Sequence, residues 1–150
     1  MKRIAVLGTG NIAQTVAVDL KSNGHEVRLF APDYLISRIQ KIVDTHEIEC
    51  VGVFEAKEKI DVVTSDIDEA VKGADYIILC VPGNRHEEYA RILKGHTTAQ
   101  QILITFNGCM VSLIYKNVWE EDASCPIFAE STIPPFSARR VEPGKVRMFE

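Results

Sequence analysis

Three small residues near the start of the chain have the spacing of a phosphate-binding turn. They are Gly8, Gly10 and Ala13, within the sequence GTGNIA. In such a turn the first glycine permits a tight bend, the second lets the backbone approach a pyrophosphate, and the third small residue lets a helix pack closely on a strand. The N–H groups at the start of that helix, with the positive end of its dipole, would then face the phosphates.

The sequence around this turn supports the same interpretation. An apolar strand pattern occupies residues 2–7, a helical pattern occupies residues 12–21, and a second strand pattern follows at residues 25–30. Strand, glycine turn, helix and strand at these distances are typical of a dinucleotide-binding βαβ unit. A glycine-rich turn in an unrelated α/β protein is the alternative, and it explains the spacing poorly.

The rest of the chain continues the alternation of strands and helices. Further strands are predicted at residues 49–54, 59–64, 75–82, 101–106 and 126–130. Further helices are predicted at residues 33–44, 67–72, 85–94 and 111–120. The strands at residues 49–54 and 59–64 are expected to form a hairpin, and the tail at residues 136–150 is expected to form another. Asp66 and Asn84 are expected to cap helices.

This alternation predicts the class of fold. We expect an α/β fold with a Rossmann-type, doubly wound, mostly parallel sheet, helices on both faces and a C-terminal β-hairpin. The length of 150 residues suits one domain, so residues 1–150 are predicted to form a single NAD(P)-binding domain.

The cofactor is expected at the carboxyl ends of the strands, where ligands bind in doubly wound sheets. The glycine turn should give backbone N–H groups and one polar side chain to the pyrophosphate, and the ends of the later strands should contact the nicotinamide side. The predicted cofactor-binding residues are Gly8, Thr9, Gly10, Asn11, Ile12, Ala13, Ala31, Asp33, Val81, Pro82, Gly83 and Asn107.

The choice between NAD and NADP is open from the sequence. An acidic residue at the end of the second strand usually binds the adenosine ribose hydroxyls. Ala31 occupies that position here, and Asp33 follows two residues later. Asp33 either reaches the ribose, which would favour NAD, or only caps the helix that begins there.

Several other polar residues have side chains that could take part in chemistry. His46 and Cys50 are four residues apart, but they flank a strand pattern, so no metal site is predicted. His86 lies one turn into a predicted helix and is interpreted as a packing or surface residue, so no catalytic residue is assigned. Arg139 and Arg140 either meet a substrate carboxylate or are solvated charges of the hairpin.

Glu130 and Thr132 follow the last predicted strand of the main sheet. At that position they are candidates to border the nicotinamide or the substrate.

The bulk properties exclude several classes of function. The net charge is −4 and no basic stripe is present, which gives no electrostatic basis for binding nucleic acid. No apolar stretch is long enough to cross a bilayer, and residues 2–7 are interpreted as a strand rather than a signal peptide. The four cysteines are widely spaced, so disulfides are not expected, and a cytoplasmic location is predicted.

Several segments together resemble the opine dehydrogenases, the octopine and nopaline dehydrogenase group. The match begins at residues 8–13 and 24–30 and continues at residues 63–75 and 81–87. Its most specific part is residues 129–140, of sequence AESTIPPFSARR, followed by PGKV at residues 143–146. The resemblance covers nearly the whole chain, and the last segments are much narrower in distribution than the glycine turn.

The resemblance implies an activity. Such enzymes reductively couple an α-keto acid to the amino group of an amino acid, with hydride from NADH or NADPH. Their cofactor domain is followed by a helical domain that carries a catalytic His–Asp pair. We therefore expect residues 1–150 to be the cofactor half of such an enzyme, inactive alone, with small-molecule substrates and a possible homodimer.

Other functions remain alternatives. The glycine turn is also compatible with a glycerol-3-phosphate or ketopantoate reductase-like dehydrogenase, or with a stand-alone NAD(P)-binding module that senses redox state. A methyltransferase is less compatible, because such enzymes usually have an acidic residue before the first glycine, where this chain has Leu7.

Overall fold

The computed structural model describes residues 1–149; Glu150, the last residue of the predicted tail hairpin, lies outside the described residues. The strands are β1 (Arg3–Leu7), β2 (Glu26–Phe30), β3 (Glu47–Gly52), β4 (Ala56–Lys59), β5 (Val62–Thr64), β6 (Tyr76–Leu79), β7 (Ile102–Thr105), β8 (Ile127–Glu130), β9 (Ala138–Glu142) and β10 (Lys145–Met148). The helices are α1 (Asn11–Ser22), α2 (Asp33–Ile36), α3 (Gln40–Thr45), α4 (Ile67–Val71), α5 (His86–Leu93) and α6 (Ser112–Trp119), with 3₁₀ turns at Ser37–Ile39 and Gly83–Arg85.

Six of the strands form one parallel sheet in the order β5-β2-β1-β6-β7-β8. This is a doubly wound order, because the direction of strand addition reverses between β1 and β6. β1 lies near the centre, and its residues 4–7 are buried on both faces, which explains the continuous apolar run in the sequence. The predicted fold class is confirmed.

Helices cover both faces of this sheet. On one face α1 and α3 pack on the sheet through Val16, Ala17 and Ile42. On the other face α4, α5 and α6 form a second cluster that includes Tyr89 and Trp119. The two clusters hold the strands rigidly, so the loops at the carboxyl edge start from fixed positions.

The predicted hairpin of residues 49–54 and 59–64 is wrong. β3 pairs in antiparallel fashion with β4, whereas β5 leaves the hairpin and joins the main sheet beside β2. The cause is Asp61, whose carboxylate accepts hydrogen bonds from the backbone N–H of Val27 (2.7 Å) and from the Lys21 ammonium (2.7 Å). These bonds fix the chain at the edge of the main sheet just before β5 begins.

The predicted C-terminal hairpin is present, because β9 and β10 pair in antiparallel fashion. β10 also pairs in parallel with β3, which completes a second sheet in the order β4-β3-β10-β9 that the sequence did not predict. Gly52 permits the close approach of the two strands: its φ is +112°, and a Cβ there would collide with the carbonyl oxygen of Met148. Helix α1 lies between the two sheets.

Two predicted helices differ in detail. Residues 33–44 do not form one helix, because the 3₁₀ turn at Ser37–Ile39 separates α2 from α3. Asn84 does not cap α5: it lies within the second 3₁₀ turn, which Pro82 precedes in an extended conformation. By contrast Asp66 caps α4, where its side chain accepts from the backbone N–H of Asp68 at 2.9 Å.

Within residues 1–149 no helix is both long and apolar enough to cross a membrane.

Candidate functional site

The glycine turn connects the end of β1 to the start of α1. Gly8 has φ +138°, and its N–H donates to the carbonyl of Phe30 at 3.0 Å. A Cβ at Gly8 would collide with the carbonyl oxygen of Cys80 and would lie 3.4 Å from the methyl group of Ala13. Gly8 and Ala13 therefore shape the turn and let α1 pack against the strands, as their spacing predicts.

Gly10 has a different environment. It is the N-cap residue of α1 in an extended conformation, and a Cβ placed on it would meet no atom within 4 Å. No side chain caps α1, and no carboxylate lies in its first turn. The open space at Gly10 thus adjoins a helix start whose dipole favours an anion.

Three cavities meet at Gly10. The arginine cavity, of about 680 Å³, is lined by Thr9, Gly10, Asn11, Arg38, Arg139 and Arg140. The Tyr34 cavity, of about 620 Å³, lies between α2 and the end of β6 and includes Thr9, Gly10, Tyr34, Leu35, Arg38, Val81, Pro82 and Arg85. The Phe106 cavity, of about 240 Å³, is lined by Gly10, Asn11, Ile12, Cys80, Val81, Pro82, Phe106, Asn107 and Pro134.

The structure brings most of the predicted cofactor-binding residues to these cavities. Those that line one or more of them are Thr9, Gly10, Asn11, Ile12, Val81, Pro82 and Asn107. Of the others, Gly8 and Ala13 lie close to each other where the turn packs against the strands, and they line none of the three cavities. Ala31 is fully buried, and its N–H donates to the carbonyl of Thr64. Asp33 and Gly83 are exposed and lie outside the lining of the three cavities.

The side chain of Asn11 has a role that the sequence did not reveal. Its Nδ2 donates to the carbonyl of Ala138 at 3.2 Å, and its Oδ1 accepts from the backbone N–H of Arg140 at 3.0 Å. These two bonds tie the first turn of α1 to the edge strand β9. The glycine turn and the C-terminal hairpin are thereby held together on one side of the arginine cavity.

Three arginines face the glycine turn from two separate segments. Arg38 lies in the 3₁₀ turn after α2, whereas Arg139 and Arg140 lie on β9. From the sequence the last two are expected either to meet a substrate carboxylate or to be solvated charges, and Arg38 is not among the predicted residues. The signal for Arg38 was its position shortly after the second strand, where a basic residue accompanies a phosphorylated ribose.

A buried hydrogen-bonded chain lies below the carboxyl edge of the sheet. His86 is only 2% exposed, and its Nδ1 lies 2.8 Å from the hydroxyl of Tyr115, which lies 2.8 Å from the hydroxyl of Thr105. Its Nε2 has no partner among residues 1–149. Burial lowers the pKa of His86, although the charge of Glu130 acts in the opposite direction. His86 therefore serves packing, because it is neutral and enclosed.

Glu130 and Thr132 follow β8. The carboxylate of Glu130 accepts hydrogen bonds from the backbone N–H groups of Val111 (3.2 Å) and Ser112 (2.9 Å), so it closes the start of α6. Neither Glu130 nor Thr132 lines the three cavities. Among the described residues no group of three or more His, Cys, Asp or Glu side chains is placed to hold a metal ion.

Strand order, glycine turn and cavities together define the class of this protein. Ligands bind a doubly wound sheet outside the carboxyl ends of its strands, at the point where the strand order reverses. Here that point lies between β1 and β6, and the open face of Gly10 occupies it. The chain is a dinucleotide-binding domain of the Rossmann type.

The chain belongs to the family described as NAD-dependent glycerol-3-phosphate dehydrogenase N-terminus, whose profile matches residues 3–115. It is 28% identical over 144 residues to vitopine synthase of Allorhizobium ampelinum, and the matched region covers 94% of this chain and 40% of vitopine synthase. It is 30% identical over 148 residues to an opine dehydrogenase of Arthrobacter sp. (strain 1C), and the matched region covers 97% of this chain and 41% of that enzyme.

Its fold is that of octopine dehydrogenase solved with NADH and L-arginine. The TM-score is 0.89 at 23% identity, over 100% of this chain and 40% of that one. The resemblance to opine dehydrogenases is thus confirmed, as is a nicotinamide dinucleotide as the class of cofactor. The chain spans about 40% of the length of these relatives.

Proposed function

We propose that this chain is the cofactor-binding domain of an opine-dehydrogenase-like oxidoreductase. The observation that carries the proposal is the open face of Gly10, where three cavities meet at the start of an uncapped helix. The pyrophosphate of NAD(H) or NADP(H) is proposed to lie over Gly10, against the N–H groups of the first turn of α1. A side chain at that position would occupy the space that the pyrophosphate requires.

The two halves of the dinucleotide are assigned to the two cavities that extend along the sheet edge. The Tyr34 cavity lies on the side of β2, where the adenosine ribose is recognised in such sheets. The Phe106 cavity lies between the ends of β6 and β7, and it is proposed to receive the nicotinamide ribose and ring. Val81 and Pro82 line both cavities, so they are proposed to separate the two ends of the cofactor.

The proposed reaction of the whole protein is the reductive coupling of an α-keto acid with an amino acid. Support comes from the relatives, among which octopine dehydrogenase has been solved with NADH and L-arginine and also with pyruvate. When bound, the nicotinamide cofactor supplies the hydride. The residues of this chain would orient the cofactor and exclude water from one of its faces.

Location, partners and a possible homodimer are also proposals. We propose a cytoplasmic protein that acts on small molecules and has no nucleic-acid partner, since its net charge of −4 gives no electrostatic basis for binding nucleic acid. The domain boundary at residues 1–150 stays a prediction.

The test uses the variant Gly10→Val. We expect the affinity for NAD⁺ and NADP⁺ to fall by more than about tenfold, because a branched side chain would fill the pyrophosphate position. The melting temperature should change little, since a Cβ at Gly10 meets no protein atom within 4 Å. Isothermal titration calorimetry and thermal denaturation measure the two quantities.

The matched control is Ala99→Val. It adds a branched side chain at an exposed residue before β7, at the opposite edge of the sheet from the glycine turn. This variant should bind both cofactors like the wild type. Equal affinities of Gly10→Val and wild type would overturn the proposed function, as would failure of the wild type to bind either cofactor.

A further inference from the structure

The arginine cavity contains an unusual amount of uncompensated positive charge. Arg38, Arg139 and Arg140 line it, and no carboxylate of residues 1–149 does. None of the three forms an ion pair with residues 1–149, whereas Arg3, Arg28, Arg85 and Arg91 each do. Three unpaired guanidinium groups around one cavity, in a chain of net charge −4, indicate a site for a strongly anionic group.

The position of Arg38 relates this charge to the adenosine end of the cofactor. Arg38 lines both the arginine cavity and the Tyr34 cavity, so it stands where the two join. That junction lies beside Thr9 and Gly10 and close to the end of β2. In doubly wound sheets an arginine in this region accommodates a phosphate on the 2′-oxygen of the adenosine ribose.

The acidic residue that would favour an unphosphorylated ribose is missing from the lining. Ala31 occupies the usual position and is fully buried. Asp33 is exposed in the first turn of α2 and lines neither the arginine cavity nor the Tyr34 cavity. No carboxylate of the lining is therefore placed to bind the two ribose hydroxyls or to repel a 2′-phosphate.

The C-terminal hairpin forms one side of the arginine cavity. The two hydrogen bonds of Asn11 to β9 keep Arg139 and Arg140 beside the glycine turn. Planar guanidinium groups match a phosphate well, because each offers several N–H donors in a fixed geometry. Arginines from two distant segments thus converge on one cavity next to the ribose position.

We propose that the arginine cavity binds the 2′-phosphate of NADP(H), with Arg38 as the specificity-determining residue, so that the chain selects NADP(H) over NAD(H). This inference rests on the proposed function. It assigns a specificity-determining residue and a preference for NADP(H), although the family description names NAD. The relatives' solved structures include complexes with NADH and with NADP⁺.

The experiment measures affinities by calorimetry for NADP⁺ and NAD⁺, and for adenosine 2′,5′-bisphosphate and AMP, which differ only in the 2′-phosphate. We expect the wild type to bind the phosphorylated member of each pair at least about tenfold more tightly. In Arg38→Ala this preference should largely disappear through weaker binding of NADP⁺, while the affinity for NAD⁺ changes by less than about threefold.

The control is Arg147→Ala. Arg147 is an exposed arginine of β10 on the same hairpin, and it lines none of the three cavities. Its replacement removes one positive charge at a comparable place in the chain, and the ratio of the two affinities should stay that of the wild type. A drop in the ratio as large as that of Arg38→Ala would show a general charge effect and overturn the proposal.

The remaining outcomes separate this inference from the proposed function. Equal affinities for NAD⁺ and NADP⁺, a preference for NAD⁺, or equal weakening of both in Arg38→Ala would overturn the inference alone. Inorganic phosphate that binds as tightly as the bisphosphate would show an anion site unrelated to the nucleoside, which also overturns it. Failure of every nucleotide to bind would contradict the proposed function itself.

Discussion

His86 shows how one buried side chain connects the structure to pH. Its imidazole is neutral in the folded chain, because burial lowers its pKa below the ordinary value of 6.5. The unfolded chain takes up a proton as the pH falls through that ordinary value, whereas the folded chain does not. The contribution of His86 to stability is therefore complete above about pH 6.5 and is lost as the pH falls below it.

We expect the free energy of unfolding to decrease between pH 7.5 and pH 5 with a component due to His86, of at most about 1.4 kcal/mol per pH unit. His86→Asn keeps a polar partner for the Tyr115 hydroxyl but cannot titrate, so its stability should vary less with pH. Urea denaturation at several pH values measures both slopes, and an NMR titration of the imidazole follows the group directly. Equal slopes would contradict this assignment.

At the level of residues the sequence identified the glycine turn but not its neighbours. Gly8, Gly10 and Ala13 are recognisable because each has a local steric task that requires glycine or another small residue. Arg38 had a local signal, its position shortly after the second strand, whereas the side-chain bonds of Asn11 depend on where the second sheet brings β9. That placement is set by long-range pairing, so no local spacing reports it.

At the level of elements, α1 acts as the connection between the two sheets. Its first residue, Asn11, directly follows the glycine turn and binds β9 through two hydrogen bonds. Its body packs on both sheets. The position of the hairpin over the arginine cavity therefore depends on a contact at the beginning of this helix.

We expect Asn11→Ala to lower the free energy of unfolding by about 1–2 kcal/mol, since two hydrogen bonds of ordinary strength are lost. The backbone N–H of Arg140 should then exchange with solvent faster, as measured by hydrogen exchange with NMR or mass spectrometry. Asn23→Ala is the control: it removes a bond to the carbonyl of Asp19 at the other end of α1. Unchanged exchange at Arg140 in Asn11→Ala would show that the side chain does not hold β9.

The elements also show where sequence patterns succeed and fail. The parallel strands were predictable because buried strands are apolar along their whole length. The hairpin of residues 49–54 and 59–64 was predicted wrongly, because alternation defines a strand without naming its partner. The partner was decided by Asp61, whose bonds to Val27 and Lys21 attach β5 to the main sheet.

At the level of the whole molecule, the chain provides a surface for a cofactor but no group for proton transfer beside it. Among residues 1–149 the only titratable side chain that lines the Phe106 cavity is Cys80, and burial raises the pKa of its thiol far above neutrality. His86 is enclosed and hydrogen-bonded to Tyr115. General acid–base catalysis needs a group within reach of the substrate whose pKa lies near the working pH.

We therefore expect the 150-residue chain to bind its cofactor without catalysing turnover. The assay follows oxidation of NADH and NADPH with pyruvate and other keto acids, together with a panel of amino acids. A longer natural opine dehydrogenase in the same assay shows that the conditions support turnover. Robust turnover by the chain would contradict the expectation, and His86→Asn would then be the first variant to assay.

The pairing of β10 with β3 has a consequence for the order in which the protein is made. Lys145 lies opposite Glu49, so synthesis must pass Lys145 before β3 acquires this neighbour. Until then one edge of β3 is open, and the side chains of Ile48 and Cys50, which are buried in the finished protein, lack their cover from Val146 and Met148. A nascent chain stalled before residue 138 would expose an apolar strand edge, the kind of surface that chaperones bind and that aggregates form from.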